Sequence, residues 1–128
     1  MRYDWGKYLI LAQDWAELSK EHVNKEALLR SAISRAYYAS FCKARNHLRD
    51  IEKDRGLGKS LQVHQLVIER FERSDSKAKK DIGTALGRLR KIRNIADYQD
   101  SFRNLRKTAL RSLKYAEDVF EYLDRLHS

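Results

Sequence analysis

Proline is absent from the 128 residues, and glycine occurs only five times. No residue of the chain breaks a helix outright and few positions favour tight turns, so long helices are expected. Cysteine is nearly absent as well. A lone Cys42 excludes an internal disulfide and leaves no Cys-x-x-Cys pair for a metal or redox centre, which points to a reducing compartment, the cytoplasm. No apolar run approaches the roughly 20 residues of a membrane span, and no signal-peptide core is recognisable, so no membrane association is expected. The four histidines are scattered and no pair of acids faces one of them at helical spacing, so neither a metal centre nor a cofactor is predicted. The stretch Arg55-Gly56-Leu57-Gly58-Lys59-Ser60 looks superficially like a phosphate-cradling loop but lacks the four-residue gap and the preceding strand.

What the chain has in quantity is charge and helix formers. Charged residues make up 35% of it, and 27 Lys and Arg against 18 Asp and Glu give a net charge of +9. A surface of that sign attracts phosphate backbones. The excess is uneven: residues 25–56 hold eight basic against four acidic side chains, and residues 75–98 hold seven against three. In the last 30 residues the bases come first and the acids later.

Apolar residues at three- and four-residue steps predict an all-α fold, an antiparallel up-and-down bundle of four to five helices forming one domain over residues 1–128. The first helix is expected from an Asp4 cap to about His22, with Trp5, Tyr8, Leu9, Ala12, Trp15 and Ala16 inward. The second, capped by Asn24, carries Leu29, Ile33, Ala36, Tyr37, Ser40, Phe41, Ala44 and Leu48 to about residue 50 and forms the main strut. Residues 51–60 read as a loop ending in a Ser60 cap. Shorter helix 3 spans about 61–73, helix 4 about 76–95 and helix 5 about Ser101 to Leu126. Gly83 and Gly87 inside helix 4 each cost about 1 kcal/mol relative to alanine; either a close helix–helix or dimer contact offsets that cost, or they are tolerated surface glycines. Short connections favour antiparallel neighbours. On that tracing the end of helix 2, the start of helix 3, the end of helix 4 and the start of helix 5 share one end of the bundle. Arg45, Arg49, Arg90, Lys91, Arg103 and Lys107 would gather there as a nucleic-acid-binding surface, with the acidic tail of helix 5 at the opposite end.

Polar and reactive groups concentrate at Arg93-Asn94-Ile95-Ala96-Asp97-Tyr98, where the apolar stripe of helix 4 runs out. RNA cleavage without a metal needs a base for the 2′-hydroxyl, an acid for the leaving oxygen and a cation for the charge on phosphorus. Arg93 suits the last role, because its planar fork binds two phosphate oxygens and stays charged. It suits equally a structural one, bonding the last helix carbonyls or pairing with Asp97. Tyr98 is a hydrogen-bond donor and a poor base, whereas His64, which the tracing places at the same end, offers an imidazole.

Two stretches together resemble the HEPN superfamily of small helical proteins, in particular a bacterial and archaeal branch of it. Ser34-Arg35-Ala36-Tyr37-Tyr38-Ala39-Ser40-Phe41 is similar to that branch's helix-2 signature, and Arg93-Asn94-Ile95-Ala96-Asp97-Tyr98 to its Arg-x-x-Ala-Asp-Tyr ending; Val63-His64-Gln65-Leu66 and Phe71 fit the spaced His and Phe between them. The resemblance implies an antiparallel bundle, commonly a homodimer whose motif-bearing ends meet in a cleft. Many relatives are metal-independent ribonucleases with an Arg followed four to six residues later by His, and several pair with a small nucleotidyltransferase in toxin–antitoxin modules. Arg93 and the polar Asn94 match that motif, while Tyr98 stands where the histidine would be. The resemblance thus implies Arg93, Asn94, Tyr98 and His64 as candidate catalytic residues. The alternative is a catalytically inactive helical module binding RNA, a nucleotide or a protein.

Overall fold

The longest apolar stripe in the chain becomes the central strut of the molecule. In a computed structural model, which describes residues 3–57 and 62–127, this strut is α2 (Lys25–Asn46), and it packs against α1 (Gly6–Leu18), α4 (Lys77–Tyr98) and α5 (Leu105–His127). Ala32, Ala36, Ala39 and Ala44 along it are wholly buried, and their small side chains let the neighbouring helices approach closely on different sides. The short α3 (Val63–Glu72) lies mainly on α4. The described residues thus form an all-α bundle around one shared core, in which Phe71, Ile82, Leu86, Leu89 and Leu123 are fully buried. Each such side chain contributes roughly 1.5–3 kcal/mol relative to exposure.

The residues expected to face inward on α2 are all buried, from Leu29 to Leu48. The helix bounds differ at several ends. Trp5 occupies the cap position of α1, and Asp4 accepts instead from the Gly6 amide at 2.9 Å. α1 stops at Leu18 rather than near His22, while α2 passes into a π-helical turn at His47–Ile51. α4 is capped as expected by Ser76, whose Oγ accepts from the Lys79 amide at 3.4 Å, but it continues to Tyr98. The expected Ser60 cap lies outside the described residues.

The expected arrangement of helix ends is corrected by the contacts. Lys43, near the end of α2, pairs with Asp124 at 2.8 Å, and His47 meets His127 at 2.9 Å, so α2 and α5 run parallel and the end of α2 meets the acidic tail of α5. At the other end of α2, Arg30 reaches the carbonyls that finish α4, and Phe102, just before α5, lies under its guanidinium. The physical reason is the connection after α2. It is not short, so it does not impose an antiparallel neighbour. The π-helical turn is followed by Lys53 in the left-handed region (φ 58°), and the Asp54 amide donates back to the Leu48 carbonyl at 2.8 Å. Asp54 then holds the Arg70 guanidinium at 2.9 Å. The chain doubles back before α3 begins, which places His64 beside the middle of α2 and Phe71 beside His47.

A candidate phosphate-binding pocket between α2, α3 and α4

Helical spacing puts Ser34, Tyr37, Tyr38 and Phe41 of α2 on one sector, and α3 and α4 close over it. Ser34, Arg35, Tyr37, Tyr38, His64, Arg93 and Asp97 line a cavity of about 310 Å³. Both motif stretches and His64 are therefore brought together, although not at an end of the bundle: the pocket lies along the flank of α2.

Arg93 sits five residues before the last residue of α4, so it is not the helix-ending arginine. That structural role belongs to Arg30, which donates to the carbonyls of Ala96 at 2.8 Å, Gln99 at 2.6 Å and Asp100 at 3.1 Å. Arg93 takes the other structural part expected of it, the pairing with Asp97, and also lines the pocket. Its guanidinium lies 5.0 Å from the centre of the Tyr37 ring, and one of its terminal nitrogens is 3.6 Å from Asp97. The Ser34 hydroxyl donates to the other Asp97 oxygen. Among the described residues, the Nε–H groups of Arg30, Arg90 and Arg93 are buried without a hydrogen-bond partner. A buried unpaired donor carries a desolvation cost of roughly 1–3 kcal/mol.

The aromatic side of the pocket is stacked and neutral. Tyr37 and His64 are joined by a 2.6 Å hydrogen bond between the hydroxyl and Nδ1, and the His64 ring lies flat on Phe41, with centroids 3.9 Å apart and planes 15° from parallel. Burial, with Arg90, Arg93 and Arg45 adding their positive charge, pushes the imidazole down to about 4. Burial likewise pushes the Tyr37 phenol up to about 12, against the opposing pull of Arg90 and Arg93. At neutral pH both groups are uncharged.

The other residues singled out in the sequence divide among separate surfaces. Asn94 lines a groove of about 510 Å³ with Gly87, Arg88, Arg90 and Lys91 on the α3–α4 face. Tyr98 is 75% exposed and outside the pocket. Arg45 and Arg49 border a third cavity with Lys53 and Arg55. Arg103 and Lys107 are exposed at the start of α5. The expected gathering of all six cations at one end is therefore replaced by patches on different faces. Arg45, Arg90 and Arg93 are the ones that converge, on His64. Arg35 and Tyr37 entered the sequence reading as parts of a signature and, for Tyr37, as core; the spacing of Ser34, Tyr37, Tyr38 and Phe41 on one helical face was the signal that they share a wall.

Among the described residues, no group of three His, Cys, Asp or Glu side chains is placed to hold a metal ion, and no helix is long and apolar enough to cross a membrane. Fold and pocket together define a class, a small basic helical bundle with an arginine-and-aromatic cavity on its flank. Searches of family models, curated proteins and solved structures return no match to the chain.

Proposed function

We propose that this chain is a HEPN-type helical subunit of a two-component module with a small nucleotidyltransferase, and that its α2–α3–α4 pocket takes a phosphodiester of RNA. One observation carries the reading: the two family-like stretches converge on a cavity lined by Arg93, Arg35 and His64 together. An anionic oxygen there gives the Arg93 guanidinium a counter-charge and a charge-assisted hydrogen bond at once. A neutral His64 that accepts the Tyr37 proton at Nδ1 carries its own proton on Nε2, and so offers the phosphate a second donor. Asp97 competes for Arg93, and its partial exposure, at 31% of the side chain, leaves it free to turn toward water when phosphate arrives.

Binding is favoured over turnover by the same two groups. General acids and bases work best with pKa values near the operating pH. Here the imidazole is displaced to about 4 and the phenol to about 12. Tyr98, in the position of the family's histidine, lies outside the cavity. Metal-independent endoribonuclease activity is kept as a second reading because Arg93, His64 and Tyr37 nonetheless share one pocket. A homodimer with facing pockets would suit either.

The decisive experiment measures affinity for single-stranded RNA by fluorescence anisotropy. Arg93→Ala is expected to weaken binding by about tenfold or more, the worth of a charge-assisted hydrogen bond, with Arg93→Lys between. Unchanged affinity in Arg93→Ala would sink the pocket assignment. Incubation of the same RNA in EDTA separates the two readings: cleavage lost in His64→Ala establishes turnover, and intact RNA bound tightly by the wild type establishes a binding module.

A further inference from the structure

A group of aromatic residues joins α1 to α2, and one of them, Tyr38, lines the pocket described above. Tyr38 and Phe41 are nearly parallel, with planes 10° apart and centroids at 6.4 Å, and Phe41 in turn stacks on His64. This pile of rings runs from inside the cavity outward and ends at Tyr38, which is 38% exposed. Against Tyr38 stand Trp5 at 5.5 Å and Tyr8 at 6.0 Å, both edge-on. Tyr3 closes the group, 4.8 Å from Trp5, while remaining 53% exposed. Packed between α1 and α2, the group still leaves Tyr3 and Tyr38 partly exposed. A cation is already in place among them. The Arg35 guanidinium lies 5.1 Å from the centre of Tyr8, and Arg35 and Tyr38 line the same cavity as Arg93.

We propose that this cluster is a stacking platform for a base of single-stranded RNA, positioned so that one strand sets a base on Tyr38 and a neighbouring phosphate against Arg93. The proposal rests on the phosphate-pocket reading above and names the form of nucleic acid that the pocket takes. Exposed aromatic faces beside cations are the means by which proteins hold unpaired strands, because every base has a face to stack and each carries a phosphate close by. A duplex keeps its base faces covered and cannot use the platform.

The test compares three fluorescein-labelled probes on the whole chain: a short oligouridylate, an abasic ribose-phosphate oligomer of the same length, and an RNA hairpin. The oligouridylate is expected to bind about tenfold or more tightly than the abasic oligomer, and to quench tryptophan fluorescence where the abasic oligomer does not. Tyr3→Ala, outside the cavity lining, should lower oligouridylate affinity toward the abasic level and leave the abasic affinity unmoved, and Tyr38→Ala should lower oligouridylate affinity further. Tyr38→Phe, which keeps the ring, should bind as the wild type does. Equal binding of oligouridylate and abasic oligomer, both dependent on Arg93, would overturn the platform while the pocket stands. Failure of every probe to bind would remove the pocket and the platform with it. Hairpin binding as tight as that of the single strand, or competition by uridine monophosphate at the oligomer's own concentration, would also overturn recognition of an unpaired strand.

Discussion

His64 links the pocket to the stability of the fold, because its imidazole is partly buried near Arg90, Arg93 and Arg45, hydrogen-bonded to Tyr37 and stacked on Phe41. An unfolded chain protonates this group near its ordinary 6.5, whereas the folded chain resists until about 4. As pH falls through that window the unfolded state takes up the proton first. The stability present above pH 6.5 is therefore lost progressively toward pH 4, by about 1–3 kcal/mol from this residue. His47 acts in the same direction: burial lowers its pKa first, and Glu52 only partly opposes it. Urea midpoints at neutral pH and at about pH 4.5 check the point. The wild type is expected to lose more stability between the two than His64→Gln, and an equal loss in both chains would show that the imidazole is not held neutral by its surroundings.

At the scale of the helices, the two glycines of α4 have opposite consequences. A Cβ at Gly83 would lie 2.7 Å from both the backbone nitrogen and the Cγ of Glu72, the last residue of α3, so the glycine is what lets α3 settle on α4. A Cβ at Gly87 meets nothing within 4 Å. Gly83→Ala should destabilise by about 1–3 kcal/mol through overpacking against a backbone that cannot yield, and Gly87→Ala should stabilise by up to about 1 kcal/mol. Thermal melts of the two variants decide it; shifts of the same sign would contradict the packing. This difference was invisible in the sequence, where both glycines sit four residues apart on the same helix. The helices themselves were legible because each carries an uninterrupted apolar face, as the buried run from Leu29 to Leu48 shows. Their directions were not. These turned on a π-helical turn and the left-handed Lys53, neither of which leaves a mark in hydrophobic periodicity. The site was half legible. Arg93 and His64 do share a pocket, but the tracing of helix ends that brought them together does not hold, and the role of Arg30, which finishes α4 from 66 to 70 residues away, needs the fold. Arg30→Ala should cost about 2–3 kcal/mol, since three carbonyl bonds to a charged donor disappear together. It should also fray the last turn that carries Asp97, which amide exchange at residues 96–100 would report.

Across the whole molecule the net charge of +9 acts on folding and on binding with opposite signs. In the free chain, Arg45, Arg90 and Arg93 crowd His64, so like charges repel where the fold holds them close, whereas Arg49 is paired with Asp50 at 2.9 Å and shares its cavity with Asp54. Ion pairs such as Lys43–Asp124 and Lys79–Glu52, both at 2.8 Å, offset this only in part, because they lie nearer the end of α2 than the pocket. Salt screens the repulsion over distances of about 10 Å at 0.1 M. Raising the ionic strength should therefore raise the melting temperature of the free protein. On the proposed reading, an RNA strand would supply the same neutralisation itself and release its counterions in doing so. If about three phosphates contact Arg93, Arg35 and their neighbours, log K should fall against log salt with a slope of about −2 for a single strand. Arg93→Ala should reduce that slope by about 0.7 and, having removed one of the crowded cations, should also weaken the salt-induced rise in melting temperature. Both effects in one variant would place the repelled charge and the phosphate contact on the same guanidinium, whereas an unchanged slope would put the bound strand on another face of the bundle.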